Sequence, residues 1–195
     1  MRGAVIDEIG QPPSMRDVEE PTRGAGEALI RVTAAAINPL DLAIASGRYY
    51  RGSPETPFVS GTEGVGVVME ADSVAAGTRV RFEARSGRYG SLAERALAGE
   101  DTLIELPKGT DDALAAAVGV AGLAAWLALR SRGALRAGET VLVLGASGAV
   151  GQMAVQSAKI LGAARVIAAG RSAEGLWRAQ ELGADAVVEL GQDDV

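Results

Sequence analysis

The sequence predicts a protein of two parts, a mainly antiparallel β region followed by an α/β region with a parallel sheet. Short β-branched runs, interrupted by glycine and proline, predict the first part. The Ala- and Leu-rich stretch at residues 111–132 predicts one or two helices. From residue 139 onward strand and helix patterns alternate, which is typical of a parallel sheet. We place the domain boundary within the helical stretch, between residues 1–115 and residues 116–195.

The expected elements follow from the same patterns. The first part is expected to form five strands, at residues 3–6, 28–32, 64–69, 78–82 and 91–97. The helical stretch has breaks near Gly119 and Gly122. In the second part, strands at residues 140–144, 165–169 and 186–190 are expected to alternate with helices at residues 148–161 and 173–182.

The composition excludes several kinds of chemistry. The 195 residues carry 19 basic and 25 acidic side chains, a net charge of −6 without a block of like charge, so neither nucleic acid nor an anionic membrane is an expected partner. The sequence has no cysteine and no histidine, which removes disulfides, thiol nucleophiles, imidazole bases and the usual zinc ligands. We therefore predict no metal site. Without a signal-peptide pattern or ~18 uninterrupted apolar residues, a cytoplasmic protein is expected.

A glycine-containing segment stands where an apolar strand ends and a helix is expected to begin. Such a turn binds dinucleotide phosphates at the helix N-terminus, because residues without bulk let the pyrophosphate approach the backbone. Gly148 suits the close approach and Gly151 suits the packing of helix on strand, whereas Ala146 replaces the first glycine of the Gly-x-Gly-x-x-Gly pattern. The alternative is a glycine-rich turn without a ligand. The residues expected to bind the cofactor here are Ala146, Ser147, Gly148, Ala149, Val150 and Gly151.

The next expected strand ends in Gly170, Arg171 and Ser172, where a dinucleotide-binding domain has its ribose contacts. No carboxylate stands here to hold the ribose hydroxyls of NAD, and the Arg171 guanidinium suits a 2′-phosphate. These three residues are therefore expected to bind the cofactor, with NADPH favoured over NADH. The alternative for Arg171 is a solvated loop arginine.

Two polar segments in the first part are further candidates. Asn38 and Asp41 flank Pro39 in a pattern typical of a helix start, with Asn38 as the cap. Tyr49 and Tyr50 each suit either the edge of a core or a contact with substrate, since a phenol packs its ring and still donates a hydrogen bond.

Together these segments resemble the quinone oxidoreductase group, the zinc-independent branch of the medium-chain dehydrogenase/reductase superfamily. The resemblance covers essentially the whole chain and rests on segments in the family's order, at residues 37–41, 46–49, 60–68, 122–129 and 138–148. It implies a GroES-like catalytic and substrate domain at residues 1–115. It also implies the first half of a Rossmann doubly wound parallel sheet at residues 116–195, so that the chain resembles the N-terminal portion of a longer protein.

The resemblance further implies hydride transfer from NADPH to a small-molecule quinone or conjugated enone, without a metal. Asn38, Asp41 and Tyr49 are similar in position to the polar lining of the catalytic cleft in this family. In zinc-dependent members, Asn38 stands in the place of a cysteine ligand and Thr62 in the place of a histidine. The longer parent protein is expected to be a homodimer, and the isolated chain to lack part of the cofactor pocket.

Three other functions stay open on the sequence. An enoyl-thioester reductase of the same superfamily would carry the same motifs. A non-catalytic NADPH-binding protein is also compatible with the sequence, because Ala124 stands where the family commonly has a threonine near the nicotinamide. Phosphate binding without dinucleotide chemistry is a fourth, less specific option.

Overall fold

The structure, a computed structural model, describes residues 1–84 and 87–191. The chain divides into two compact units, Met1–Gly119 and Val120–Val195. The first unit is built from antiparallel strands and the second from a parallel sheet with helices, so the predicted fold class is confirmed.

The first unit contains two antiparallel sheets and one short helix. Its elements are β1 (Arg2–Ile6), β2 (Ser14–Asp17), β3 (Glu27–Ala35), α1 (Pro39–Ala45), β4 (Phe58–Val59), β5 (Glu63–Glu70), β6 (Arg79–Glu83), β7 (Arg95–Gly99) and β8 (Ile104–Glu105). The smaller sheet has the order β2-β1-β4, and the larger has the order β7-β3-β5-β6-β8. A 3₁₀ turn at Glu100–Thr102 precedes the last strand.

The core of the first unit lies against the larger sheet. Alternate residues of neighbouring strands point to one face, as the two-residue period of a strand requires. The fully buried members include Ile30, Val68, Val80 and Phe82. Each Å² of apolar surface removed from water stabilises this core by roughly 25 cal/mol. This packing fixes the strand β5, whose first residue is the buried Glu63.

A long apolar helical stretch leaves the first unit. Helix α2 (Asp112–Leu127) has non-helical angles at Gly119, as the break near this residue predicted, and a π-helical turn follows at Ala128–Arg132. By length and composition alone, the stretch Asp112–Arg132 would suffice to cross a membrane, with a mean hydropathy of 1.8. The core helix of a protein in water meets the same criterion.

The second unit is a strand–helix alternation in the predicted order. Its elements after α2 are β9 (Thr140–Leu144), α3 (Ala149–Ile160), β10 (Arg165–Gly170), α4 (Ala173–Glu181) and β11 (Ala186–Glu189). The three strands form a parallel sheet in the order β11-β10-β9. Val155 of α3 and Leu176 of α4 pack with Val143 and Val166 in one core, so both helices cover the same face of the sheet.

The opposite face of this parallel sheet is apolar and exposed. Leu142 and Leu144 of β9 are 57% and 70% exposed, and Val188 of β11 is 46% exposed. The sequence predicted a continuous apolar strand, which is typical of parallel strands covered on both faces. In the part of the chain that the structure describes, only one face of β9 is covered.

The first unit differs from the sequence prediction in its short strands. The strand expected at residues 91–97 begins only at Arg95, because Leu92 donates its N–H to Ser60 O and so pairs with a loop (2.9 Å). Strands β2, β4 and β8 were not expected. The first consists wholly of exposed residues, and the other two have two residues each, too few to show a period.

Candidate functional site

The turn between β9 and α3 has the geometry of a phosphate-binding loop. Gly145 adopts φ +73°, a left-handed conformation that favours glycine. A Cβ at Gly151 would stand 2.3 Å from the Gly145 carbonyl oxygen, so only glycine lets the helix approach the turn this closely. A Cβ at Gly148 would have only one atom within 4 Å, Gly145 O at the ordinary contact distance of 3.5 Å. The turn is therefore tightly packed at Gly151 and only loosely surrounded at Gly148.

The start of α3 lies at the exposed edge of this turn. Gly148 is the N-cap in an extended conformation, and among the described residues no side chain caps the helix and no acidic residue occupies its first turn. Ala149 and Val150 are exposed, whereas Ala146 is fully buried and donates its N–H to Ala169 O (2.9 Å). An uncapped 12-residue helix presents backbone N–H groups and a partial positive charge to an anion.

The end of β10 places three candidate residues beside the same turn. Gly170 is buried, and a Cβ there would stand 2.9 Å from Ser147 Oγ. Arg171 is exposed at the strand end. Ser172 caps helix α4, and its Oγ accepts a hydrogen bond from Gly175 N (3.2 Å). The structure thus brings Gly170 against Ser147 of the glycine turn and leaves Arg171 at the surface.

A cavity of about 430 Å³ lies within the first unit and contains two of the three predicted catalytic residues. Asp41 is 3% exposed and Tyr49 is half-buried, and both line the cavity with Thr62. The cavity wall otherwise includes Ile44, Arg51, Gly52, Ser53, Pro54, Phe58, Val59, Ser60, Gly61, Ala84, Gly87 and Gly90. Apolar walls with a few polar groups are typical of sites for small molecules.

The third predicted catalytic residue, Asn38, is connected to this cavity without lining it. Asn38 is the N-cap of α1, as its pattern predicted, and its backbone N–H donates to Asp41 Oδ2 (2.6 Å). Asp41 Oδ1 is buried and has no hydrogen-bond partner among the described residues. The capping arrangement therefore holds one carboxylate oxygen of Asp41 and leaves the other unpaired.

Glu63 lies next to this site, in contact with Asn38, and was not predicted. Its side chain is 2% exposed, its Oε1 accepts from Asn38 Nδ2 (2.8 Å) and its Oε2 accepts from Arg81 Nη2 (2.7 Å). A signal was present in the sequence, since a carboxylate directly before the apolar run Gly64–Met69 is unusual in a buried strand. The partner Arg81 comes from a strand 18 residues away, a pairing that the sequence pattern does not show.

Thr62, beside Glu63, was identified only by its place in the family pattern. Its Oγ1 is buried at the cavity and has no hydrogen-bond partner in the described part of the chain. Buried polar atoms are usually paired, so the two unpaired oxygens of Thr62 and Asp41 distinguish this cavity from ordinary core.

Comparison with known proteins agrees with the two-unit architecture. A family model for the alcohol dehydrogenase GroES-like domain matches residues 24–108, and one for the zinc-binding dehydrogenase matches residues 149–195. The sequence itself contains no cysteine or histidine with which to build the corresponding zinc sites.

Curated relatives and solved structures point to one group within this superfamily. Human quinone oxidoreductase is 35% identical over 167 residues, which cover 83% of this chain and 50% of that protein. The quinone oxidoreductase of Thermus thermophilus, solved also in complex with NADPH, superposes with a TM-score of 0.83 at 37% identity and covers 96% of this chain and 59% of that one. A mycobacterial quinone oxidoreductase gives a TM-score of 0.86 at 31% identity, over 99% and 60% of the two chains.

The chain spans about half the length of the curated relatives that it matches. Within that span, the GroES-like match precedes the dehydrogenase match along the chain, and the fold superposes on that of the Thermus thermophilus protein. The chain belongs to the medium-chain dehydrogenase/reductase superfamily, in the quinone oxidoreductase group.

Proposed function

We propose that this protein is an NADPH-dependent reductase that transfers hydride to a quinone or another conjugated enone without a metal. The observation that carries the proposal is the β9–α3 turn, where Gly151 packs against Gly145 O and Gly148 is exposed at the start of the helix. The relative from Thermus thermophilus binds NADPH, which supports the same cofactor here. We also propose residues 1–115 as the substrate domain, residues 116–195 as the cofactor domain, a cytoplasmic location, and a homodimer for the longer protein.

The turn residues would hold the cofactor through its phosphates. The open N-terminus of α3 offers N–H donors from Ala149 and Val150, and Ser147 is half-buried against Gly170. Arg171 would take the 2′-phosphate, since guanidinium forms paired charge-assisted hydrogen bonds with phosphate oxygens. Bound NADPH supplies hydride, and the protein supplies orientation.

The cavity of the first unit would hold the acceptor. The quinone would gain a hydride from NADPH, which becomes NADP⁺, and one proton from solvent to give the hydroquinone, so its oxygen becomes more basic as electrons arrive. The Tyr49 hydroxyl would donate a hydrogen bond to that oxygen. Asn38, half-buried next to the cavity, would offer the amide proton that Glu63 does not hold, and Asp41 would keep Asn38 in place by accepting from its backbone N–H. Phe58 and Val59 offer apolar surface and exclude water.

A fluorescence titration of the 195-residue chain with NADPH and with NADH, at equal ionic strength, tests the cofactor proposal. Tight binding with a clear preference for NADPH is expected, followed by loss of NADPH absorbance when a simple quinone is added. A chain that binds neither nucleotide would contradict the proposal for this sequence. Binding without turnover of quinones, enones or enoyl thioesters would favour the non-catalytic alternative that Ala124 suggests.

A further inference from the structure

We propose that Glu63 is a positioning residue that fixes the side-chain amide of Asn38 for the reaction. The inference rests on the proposed function, in which Asn38 orients the reactants. Glu63 itself lies behind Asn38 and does not line the cavity. Its action on the reaction would therefore pass through the amide.

The geometry is a chain of three side chains with the carboxylate in the middle. Arg81 Nη2 donates to Glu63 Oε2 at 2.7 Å, and Asn38 Nδ2 donates to Glu63 Oε1 at 2.8 Å. A further contact anchors the same strand end, since Ser91 Oγ donates to the Glu63 carbonyl at 2.7 Å. The carboxylate is thus held on one side by a guanidinium and points its other oxygen at the amide.

This arrangement has a directional consequence for Asn38. A carboxylate oxygen accepts hydrogen bonds and cannot donate them. Reversing the Asn38 amide would place its Oδ1 against Glu63 Oε1, two acceptors in contact, while Nδ2 facing Glu63 is favourable. One Nδ2 proton is committed to Glu63, and the second proton and Oδ1 keep fixed directions. The amide at the start of α1 is therefore held in one orientation.

The burial of Glu63 argues that this orientation matters. Moving a carboxylate into the interior is unfavourable, and an ion pair with Arg81 often does no better than two well-packed apolar residues. Helix α2 also accommodates the carboxylate, because a Cβ at Gly119 would stand 2.2 Å from Glu63 Oε2. Packing of β5 in the core does not require a carboxylate at residue 63. An Asn38 amide that must keep one orientation does require a hydrogen-bond acceptor there.

Nuclear magnetic resonance of the wild-type chain tests the contact directly. Asn38 is the only asparagine in the sequence, so labelling with ¹⁵N-asparagine gives a single side-chain amide pair. We expect two well-separated proton signals, the one bonded to Glu63 shifted downfield, with hydrogen exchange slowed by at least about tenfold relative to free asparagine. A pair at the positions of free asparagine with unprotected exchange would overturn the proposal without any variant.

Two glutamate variants extend this test. Glu63→Gln is expected to move the downfield signal back, because an amide oxygen is a weaker acceptor than a carboxylate. Glu83→Gln is the matched control, since Glu83 also pairs with Arg81 (3.2 Å) but is exposed and does not contact Asn38. The control should leave the signal in place. If Glu63→Gln fails to fold, the double variant Glu63→Gln with Arg81→Met removes the guanidinium that has lost its buried carboxylate partner, and the measurement is repeated.

Kinetics then separates positioning from general support of the fold. With a simple quinone, Glu63→Gln is expected to lower kcat about tenfold, in the range seen for groups that orient a functional side chain, while KM for NADPH stays within about twofold. In an Asn38→Ala background the same change should have no further effect on kcat. If the losses of kcat from Glu63→Gln and Asn38→Ala multiply when the two changes are combined, Glu63 does not act through Asn38 and the proposal is overturned. Absence of turnover in the wild type would instead reject the proposed function, and the amide spectrum would still decide whether Glu63 fixes Asn38.

Discussion

Gly151 lies so close to Gly145 that a Cβ at residue 151 would stand 2.3 Å from the Gly145 carbonyl oxygen. The backbone of Ala146 is nearly as close, at 2.5 Å. Gly148, in the same motif, would place its Cβ 3.5 Å from the nearest atom and has a negative φ of −94°. Gly151 is thus required for the close packing of the turn, whereas Gly148 has few neighbours within contact distance.

The two glycines should therefore respond differently to alanine. Gly151→Ala forces backbone apart and is expected to lower the free energy of unfolding by about 1–3 kcal/mol. Gly148→Ala fits the backbone and should cost no more than about 1 kcal/mol, the usual loss for alanine at an N-cap. Its methyl group occupies space proposed for phosphate and should weaken NADPH binding by about tenfold. Urea unfolding and NADPH titration of both variants check this. Equal losses of stability would contradict the separation of roles.

Arg171 is expected to set the preference for NADPH. Removing a hydrogen-bonded charge partner of phosphate corresponds to about 1.5–3 kcal/mol, so Arg171→Ala should weaken NADPH binding by roughly 10- to 100-fold and leave NADH binding unchanged. The control is Arg178→Ala, because Arg178 is exposed on the following helix and pairs with Glu174. A variant that loses both nucleotides equally, or neither, would assign Arg171 to the solvated surface.

The second unit could be predicted nearly element by element, while the first could not. The strand Thr140–Leu144 and the helix Ala149–Ile160 are local, because an apolar run, a glycine turn and an amphipathic period adjoin one another. Strand β4 has two residues and exists through pairing with β1, which lies more than 50 positions earlier. Glu63 becomes a site residue only when Arg81 and Asn38 meet it. Contacts between residues far apart in the sequence produce no periodic pattern from which they could be predicted.

Tyr49 is expected to support acceptor reduction through its hydroxyl. Tyr49→Phe keeps the ring at the cavity wall and removes one donor, which is worth about 0.5–1.5 kcal/mol and so about three- to tenfold in kcat with a simple quinone. Tyr89→Phe makes the same change at a half-buried tyrosine that does not line this cavity. Steady-state rates of both variants decide the point. Equal rates for Tyr49→Phe and wild type would make Tyr49 a packing residue.

Gly119 offers a prediction in which the sign alone is informative. In a regular helix alanine is favoured over glycine by about 1 kcal/mol, so propensity alone would predict that Gly119→Ala stabilises the protein, although Gly119 itself has non-helical angles. The structure predicts the reverse, because the added Cβ would displace the Glu63 carboxylate and disturb its buried pair with Arg81. We expect a loss of about 2–4 kcal/mol in urea unfolding. A gain in stability would show that Glu63 does not pack against this glycine.

Asp185 connects the last strand of the second unit to a helix and to the middle strand. Its Oδ2 accepts from Lys159 Nζ and from Val166 N, each at 2.6 Å. The hydrogen bond from Lys159, and then the one from the Val166 backbone, lower the pKa of Asp185 below its ordinary value. A carboxyl group whose pKa is lower in the folded state stabilises the protein above its unfolded pKa of about 3.9, and that contribution disappears as the pH falls through the folded pKa.

Asp185→Asn should therefore lower the urea midpoint of the second unit at pH 7, and the difference from wild type should shrink steadily below about pH 3.9. Both tryptophans, Trp126 and Trp177, lie in the second unit, so their fluorescence follows its unfolding. Lys159→Met removes the largest cause of the lowered pKa and should flatten the acid dependence of an otherwise unchanged Asp185. A difference between Asp185→Asn and wild type that stays constant from pH 7 to the acid limit would show that the ionised carboxylate makes no contribution to holding these strands together.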